Sequence, residues 1–482
     1  MSMKVPAEEA AGFEPTLPTK HLPAVEVREM PEPPASIWRI VGPGIVGAGV
    51  GLASGEFILW PYISSQVGLV FLWGALVGVI VQWFLNMEIE RYTLATGETA
   101  LTGFSRYWRH WGLFFAILIY FANLWPGWAT SSATLTTFLF GGGDPVPIAI
   151  GILLLVGLAL TLAPVVYDAL ERVIFLKVAV IGIFFLVCAF AAISGDAVGE
   201  LSNTVTEFGQ FPGDLEFAVL LGAIAFAGAG GGQNLCQSNW IRDKRYGMGR
   251  YVPRLVSPIT GHEEPASGTG FQFDPTEDNL RRWNAWWRFA NIEQLSTFVL
   301  ITVVTISFTS MLAYSTVFGQ PDLPDDINFL EVEGNRLNDL VGPWMGPLFW
   351  GIGAFSLLAA SMGIVDYTSR VAADILKVNY LRRSAISESR LYFALVWGLV
   401  LIGCAILLAG LDQPLLLLVI SACVGGVMMF VYSILLLIMN RRSLPEPIRV
   451  RSYRVAALVF AAGFFGVLSV ITIVEQGGQL FE

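Results

Sequence analysis

The sequence predicts an all-α integral membrane protein with eleven transmembrane helices, arranged as an inverted repeat of five plus five helices with one extra helix. Of its 482 residues, 55% are hydrophobic and only 14% are charged, and the mean hydropathy is +0.63. Soluble domains carry about 25% charged residues. The apolar residues form runs long enough to cross the ~30 Å of hydrocarbon in a bilayer, and the first and sixth runs are interrupted by glycine and polar residues. This pattern excludes a soluble, fibrous or disordered protein.

The predicted helices follow a proline-rich amino-terminal segment. Residues 1–36 have several acids and no apolar run, which predicts a disordered cytoplasmic tail. The apolar stretches that follow cover 42–66, 67–89, 111–139, 146–164, 172–194, 217–240, 291–317, 345–376, 390–410, 414–439 and 453–474. The predicted division is repeat one at 37–194 (helices 1 to 5), repeat two at 217–439 (helices 6 to 10) with a cytoplasmic loop at 241–290, and helix 11 within 451–474.

The distribution of positive charge tests this threading. Loops on the cytoplasmic side of a membrane protein are enriched in Lys and Arg. With the amino terminus inside, 27 of the 28 Lys and Arg residues fall in inner segments, and only Arg336 falls outside. The sequence therefore predicts a multi-pass protein of the cell (inner or plasma) membrane with a cytoplasmic amino terminus. The net charge of −10 gives no basic face for nucleic acid.

Two helices are predicted to be broken near the middle of the membrane. The predicted breaks comprise Ala53, Ser54, Gly55 and Glu56 in helix 1, and Gly230, Gly231, Gln233 and Asn234 in helix 6. Irregular backbone at membrane depth is tolerated where it is buried in protein or lines a cavity. Helices 1 and 6 open two successive five-helix sets of opposite topology, which is where inverted-repeat folds place their discontinuous helices. We therefore expect a binding site between the two breaks.

The sequence resembles the Nramp family of divalent-metal transporters, which share the LeuT fold. The resemblance covers helices 1 to 10 and is carried by Gly42-Pro43-Gly44, by Ser65-Gln66-Val67-Gly68, and by Gly222-Ala223 with Asn234-Leu235. The first helix of the family breaks at Asp-Pro-Gly-Asn and the sixth at Met-Pro-His, and these residues form the metal site. This chain has Ala53 to Glu56 and Gly231 to Gln233 at the matching positions, so the metal-site motifs themselves are missing.

Glu56 is the first candidate for a functional side chain, because an acid in the middle of a bilayer is costly without a partner. A predicted metal site combines Glu56, Gln233 and the carbonyl of Ala53. Oxygen ligands of this kind suit hard cations such as Mg²⁺, Mn²⁺ or Ca²⁺. Trp125 and Trp128 either wall the cavity or pack within the bundle, and aromatic walls facing Glu56 would suit an organic cation.

The remaining polar residues inside the predicted helices have structural interpretations. Asp366 and Arg370, four residues apart on helix 8, are expected to neutralise one another as a gate or structural pair. All four cysteines lie in apolar runs without a CxxC spacing, which favours packing. No catalytic constellation or nucleotide-binding loop is present in the sequence, so neither an enzyme nor a cofactor is predicted.

The resemblance implies a secondary transporter that works by alternating access. A divalent metal cation that prefers oxygen ligands is the first predicted substrate. The alternative is a small cationic or zwitterionic organic solute, favoured by the loss of the metal-site motifs. The sequence does not indicate an oligomeric state, so the predicted partners are the substrate and the lipid bilayer.

Overall fold

The computed structural model describes residues 13–34, 42–204, 206–257, 259 and 269–479. Within these residues, nine helices are long and apolar enough to cross a membrane. They are Leu72–Thr96, Trp111–Phe140, Pro145–Leu162, Val166–Ala191, Glu277–Thr316, Met345–Tyr380, Glu388–Leu408, Pro414–Arg442 and Tyr453–Val474. The bent pair Pro43–Gly51 and Gly55–Val67 makes a tenth if it is counted as one crossing. The chain is therefore built as a multi-pass helical membrane protein.

We number the crossings span 1 to span 11, in the order of the predicted helices. Span 1 is the bent pair, and span 6 consists of the helices Phe217–Ala225 and Gly232–Asp243. Neither half of span 6 is long enough to cross a membrane by itself, since the two helices have 9 and 12 residues, and the second half is also rich in polar residues. The count of eleven therefore stays a prediction.

Several spans contain irregular turns or begin outside their predicted bounds. Span 3 is divided into Trp111–Ala122 and Gly127–Phe140, on either side of Pro126. Span 7 begins at Glu277, inside the segment predicted as a loop. Its helices Glu277–Gln294 and Leu300–Thr316 are joined by a wide π-helical turn, and span 8 ends in a similar turn at Leu376–Tyr380.

Short elements connect the spans. Three shorter α-helices lie at Ala100–Tyr107, Gly195–Asn203 and Phe329–Val341. Single 3-10 turns lie at Gly247–Tyr251 and Glu446–Ile448. Strands Glu26–Val27 and Phe271–Gln272 pair in parallel, with Glu26 opposite Phe271.

The amino-terminal segment differs from the predicted disordered tail. Residues 13–34 lie against the bundle, with Leu17 and Met30 buried. The backbone N–H of Met30 donates to the Asn279 side chain at 3.0 Å, and the Trp286 indole donates to the Pro31 carbonyl at 2.8 Å. The composition of the segment favours disorder, because it gives no indication of these partners, which lie about 250 positions away in the sequence. Residues 1–12 and 35–36 of the predicted tail lie outside the described residues.

The bundle has a buried interior and an apolar exterior. Spans 2 and 8 are mostly enclosed by other helices, whereas no more than 39% of the residues in the most apolar parts of spans 4, 5 and 9 are buried. Examples of exposed apolar side chains are Phe190, which is 92% exposed, and Leu408, which is 73% exposed. Apolar exposure of this extent fits a surface that contacts lipid. We call the side of the molecule on which residues 13–34 pack the amino-terminal face.

Candidate functional site

Span 1 is broken at Leu52–Ser54, close to the predicted position. Its first helix ends at Gly51, the chain resumes as a π-helical turn at Gly55–Leu59, and the two halves meet at 41°. The hydroxyl of Ser356 donates to the Leu52 carbonyl at 2.9 Å. A side chain from span 8 thus satisfies a backbone group that the break frees.

Span 6 is broken between Ala225 and Gly232. Gly228, Gly230 and Gly231 have φ angles of +109°, +71° and +54°, in the region that strongly favours glycine. The predicted glycine cluster is therefore where this helix loses its regular form.

Gln82 of span 2 holds the second break in place. Its amide oxygen accepts from the backbone N–H groups of Ala229 at 3.0 Å and Gly230 at 3.3 Å. Its amide nitrogen donates to the carbonyls of Ala225 at 3.1 Å and Ile224 at 3.3 Å. One buried side chain thereby supplies partners on both sides of the unwound segment. Gln82 could not be predicted from the sequence, since a glutamine within an apolar run gives no sign of contacts 142 to 148 positions away.

The two breaks touch each other through bare backbone. A Cβ atom added to Gly51 would lie 1.4 Å from the Gly228 carbonyl oxygen, and one added to Gly55 would lie 2.3 Å from the Phe226 carbonyl oxygen. Both distances are far below van der Waals contact. Glycine is therefore required where spans 1 and 6 meet.

A small cavity lies at this junction, with a volume of about 20 Å³. That volume is enough for about one water molecule. The cavity is lined by Val50, Gly51, Ser54, Asn123, Trp128, Phe226, Gly228, Ala229, Gln233, Ile364, Tyr367 and Ser421. These residues come from both breaks and from spans 3, 8 and 10, and none of them is charged.

Three of the predicted side chains line the cavity, namely Ser54, Gln233 and Trp128. The Gln233 amide donates to the Gly47 carbonyl at 2.5 Å, which ties the two broken spans together. The indole N–H of Trp128 is buried and has no hydrogen-bond partner among the described residues.

Other predicted site residues point elsewhere. Asn234 turns toward span 2, where its amide donates to Asn86 at 2.6 Å. Trp125 packs edge-on against Phe121, with ring centroids 5.8 Å apart, and is not a cavity residue.

The other predicted site residues contribute backbone groups. The Ala53 carbonyl accepts from the Phe57 N–H at 2.9 Å. Gly230 and Gly231 lie in the break and shape it through their backbone.

Glu56 is fully buried, but it faces span 7 and does not line the cavity. The hydroxyl of Thr305 donates to one carboxylate oxygen, and that of Thr309 donates to the Glu56 carbonyl at 2.6 Å. The second carboxylate oxygen has no partner in the described part of the chain. The predicted grouping of Glu56, Gln233 and Ala53 around one ion is therefore not formed in this structure, because the threonine hydroxyls draw Glu56 to span 7.

Lys177 is a buried cation, whereas the distribution of positive charge along the sequence placed it in an inner segment. It lies eleven residues into span 5, is fully buried, and donates to the Gly49 carbonyl at 2.7 Å. It also interacts electrostatically with Glu56. The interior beside the first break thus carries one buried acid and one buried base.

Asp366 and Arg370 form the predicted pair, at 2.9 Å, and the pair belongs to a larger network. Arg370 also binds Asp243 at the end of span 6. The Tyr392 hydroxyl donates to Asp366 at 2.8 Å. We call these four side chains the Arg370 cluster. It links spans 6, 8 and 9 on the side of the cavity toward the amino-terminal face.

Comparisons with solved structures identify the fold. A histidine-to-alanine variant of a manganese transporter from Eremococcus coleocola superposes with a TM-score of 0.67 at 13% identity, covering 96% of this chain and 91% of that chain. The same transporter in complex with an aromatic bis-isothiourea compound superposes with a TM-score of 0.66 at 13% identity, covering 96% and 92%. No family model and no curated protein sequence matches the chain. The chain therefore shares the fold of this manganese transporter along nearly its whole length.

Proposed function

We propose that this protein is a secondary transporter that moves a hard divalent metal cation by alternating access. The observation that carries the proposal is the cavity at the junction of the two breaks, in a chain with the fold of a manganese transporter. The cavity has room for a single ion or water molecule, and Ser54, Asn123 and Gln233 offer it neutral oxygens. Such ligands suit a cation that keeps part of its water shell.

Glu56 would act on the ion from outside the cavity. Charges several ångströms apart still interact strongly in a low-dielectric interior. Lys177 offsets part of this attraction, because it interacts with the same carboxylate. We infer a site of weak affinity for the ion. The entry or exit of an ion would change the electrostatic interaction between Glu56 and Lys177.

Alternating access requires that each side of the cavity opens in turn. Toward the amino-terminal face, the Arg370 cluster joins spans 6 and 8. Toward the opposite face, Phe57 stacks on Phe349 with ring centroids 5.3 Å apart. We propose that these two contacts are the inner and outer gates, with the amino-terminal face in the cytoplasm. The division into repeats at 37–194 and 217–439 is part of the same proposal.

The test is uptake of Mn²⁺ into proteoliposomes. We expect the wild type to accumulate Mn²⁺ and Gln233→Ala to lose this uptake, because the variant removes a cavity oxygen and the link to Gly47. Gln413→Ala is the matched control, since Gln413 is exposed at the start of span 10 and its side chain makes no capping bond. Wild-type protein that shows neither Mn²⁺ flux nor saturable Mn²⁺ binding would contradict the proposal.

A small organic solute is the second candidate, and the cavity lining favours it. None of the described residues that line the cavity carries a carboxylate, whereas Trp128, Phe226 and Tyr367 place aromatic rings there. Aromatic faces attract organic cations. A thermal-shift screen of amines and amino acids, followed by uptake of any that stabilise the protein, distinguishes this candidate from Mn²⁺ transport.

A further inference from the structure

A second and much larger pocket lies on the amino-terminal face. Its volume is about 630 Å³, which is within the range of sites that bind small molecules. It is lined by Lys20, His21, Leu22, Arg109, Val378, Asn379, Tyr380, Arg382 and Arg383. Four of these residues are cationic, and none of the described residues in the lining is acidic. We call this site the basic pocket, and its charge and size suit an anion larger than a single ion.

In the described part of the chain, three of the four cations of the basic pocket have no partner. Lys20, Arg382 and Arg383 are exposed and form neither an ion pair nor a side-chain hydrogen bond with any described residue. Positive charges gathered around one pocket repel each other. A bound anion would therefore relieve this repulsion.

A half-buried lysine fixes the turn that carries Arg382 and Arg383. The ammonium group of Lys377, at the end of span 8, donates to the carbonyls of Ser384 at 3.0 Å and Ile386 at 2.7 Å. The two arginines lie between this donor and its acceptors in the sequence. Their guanidinium groups are thus carried by a turn that is closed by hydrogen bonds.

A buried arginine fixes the part of the amino-terminal segment that lines the basic pocket. The guanidinium of Arg106 donates to the carbonyls of Pro18 at 2.9 Å and Pro23 at 3.1 Å. These two prolines flank Lys20 and Leu22, and the Leu22 side chain is buried. The position of Lys20 beside the turn is therefore supported by the fold.

Arg109 joins the remaining sides of the basic pocket. Its guanidinium donates to the Asn379 carbonyl at 2.8 Å and lies 4.9 Å from the centre of the Tyr380 ring. The Tyr380 hydroxyl in turn shares a hydrogen bond of 2.7 Å with Nδ1 of His110. The segment after the short helix Ala100–Tyr107 is thereby tied to the end of span 8.

The basic pocket lies next to a surface suited to lipid. Trp108, the neighbour of Arg109, is 47% exposed and packs edge-on against Trp111, with ring centroids 5.1 Å apart, at the start of span 3. Tryptophan is enriched at the interface between membrane and water. Farther along span 3, Phe114 and Ile117 are exposed. The cations therefore lie at the level of lipid headgroups, beside an apolar surface for acyl chains.

We propose that the basic pocket binds the phosphate headgroup of an anionic phospholipid. Lys and Arg donate strong, charge-assisted hydrogen bonds to phosphate oxygens, and basic pockets between transmembrane helices bind such headgroups. The proposal goes beyond the transport function and does not depend on the transported substrate. None of the described residues that line the basic pocket also lines the cavity between the breaks.

A bound headgroup would connect the amino-terminal segment to span 8. Lys20 belongs to that segment, whereas Arg382 and Arg383 follow the span that carries Arg370. A phosphate between these cations would hold the segment against the end of span 8. The proposed cytoplasmic position of this face agrees with such a ligand, because anionic lipids give the cytoplasmic leaflet a negative surface potential.

The test follows the melting temperature of the purified, delipidated full-length protein in a neutral detergent as dioleoyl-phosphatidylglycerol is added. We expect this lipid to stabilise the wild type with saturation, and dioleoyl-phosphatidylcholine, which has no net charge, to have no such effect. Each cation near a lipid headgroup contributes about fivefold in affinity. Arg382→Ala/Arg383→Ala should therefore require roughly 25-fold more phosphatidylglycerol for the half-maximal shift.

Lys20→Ala tests the same pocket from the amino-terminal segment and should require about fivefold more lipid. It keeps the proposal testable if the double variant is poorly folded. Because the substituted side chains are exposed, the melting temperatures of both variants without lipid should equal that of the wild type.

Arg441→Ala/Arg442→Ala is the matched control. These two arginines are also adjacent and exposed, at the end of span 10, but they do not line the basic pocket. The next residue, Ser443, accepts from the Thr16 hydroxyl through its carbonyl at 2.6 Å, which places the pair on the same face. The control should keep the wild-type response to phosphatidylglycerol.

Two outcomes would overturn the proposal. An equal loss of lipid affinity in the control and in the pocket variants would show general attraction of lipid to a basic face. Inorganic phosphate that stabilised the wild type as much as the lipid does would assign the pocket to a soluble anion.

Discussion

The cavity between the breaks and the Arg370 cluster both involve spans 6 and 8. Neutral hydrogen bonds surround the cavity, whereas buried ion pairs hold the cluster together. The cavity is bounded by neutral groups such as Ser54, Gln233 and Tyr367, and its hydrogen bonds are each worth about 1 kcal/mol. The cluster consists of fully buried charges, and a charge left without its partner costs several kcal/mol. The cavity can therefore change shape around a substrate at little cost, whereas the cluster has to open as a unit.

The largest effect is expected from Arg370→Ala, which tests this comparison directly. The substitution leaves Asp366 and Asp243 buried without their cation. Removal of one partner from a buried pair costs about 3–5 kcal/mol, so we expect a large fall in melting temperature or in the yield of folded protein. Arg281→Ala is the control, because the Arg281 pair with Asp278 is exposed and should contribute less than about 1 kcal/mol. Equally small decreases in melting temperature in both variants would show that the side chains of the cluster do not stabilise the fold together.

A smaller effect on stability is expected from Glu333→Gln. Glu333 lies on the face opposite the cluster, where it is buried outside the spans. Burial raises the pKa of the Glu333 carboxyl from 4.5 to about 8. The folded protein therefore holds a proton that the unfolded chain releases, and the free energy of unfolding should fall as the pH rises from 4.5 to about 8. The variant should remove this slope and be more stable than the wild type at pH 9 by roughly 1–4 kcal/mol.

The measurement for Glu333→Gln is the melting temperature across this pH range. Glu331→Gln, two residues away and exposed, is the matched control and should keep the wild-type profile. A variant that retains the wild-type slope would show that Glu333 is not the group that binds the proton.

The smallest effect on stability is expected from Gln82→Ala, although its effect on transport should be complete. The substitution leaves backbone groups of Ala225, Ala229 and Gly230 without partners, at a cost of about 1–3 kcal/mol. Because these groups form the second break, we expect uptake to be lost while the protein still folds. Gln66→Ala, which removes one bond at 3.3 Å to the Pro324 carbonyl, should retain uptake. Full activity of Gln82→Ala would show that the break needs no side-chain support.

The positions of the spans could be predicted because they depend on local composition. Apolar length located the membrane-crossing helices, and the glycines near Gly230 located the second break, since their backbone conformation excludes other residues. The Asp366 and Arg370 pair was likewise predictable, because four residues on one helix suffice to bring the two side chains together.

The directions of the polar side chains could not be predicted, because their partners are distant in the sequence. Glu56 turns to Thr305, 249 positions away, and Lys177 donates to Gly49, 128 positions away. The amino-terminal segment is a similar case, since its proline-rich composition gave no indication of its pairing with Phe271–Gln272. Composition predicts which residues are costly to bury, but only the folded chain determines which neighbour compensates each of them.

The contact between Gly51 and Gly228 has a consequence for how the two broken helices move. Interlocked side chains must change rotamer before packed helices can slide past one another. Where peptide planes meet with no side chain between them, no such rearrangement is needed. Spans 1 and 6 can therefore shift against each other at this junction without rearranging side chains. The charged and aromatic contacts on either side of the junction would then provide the resistance to that movement.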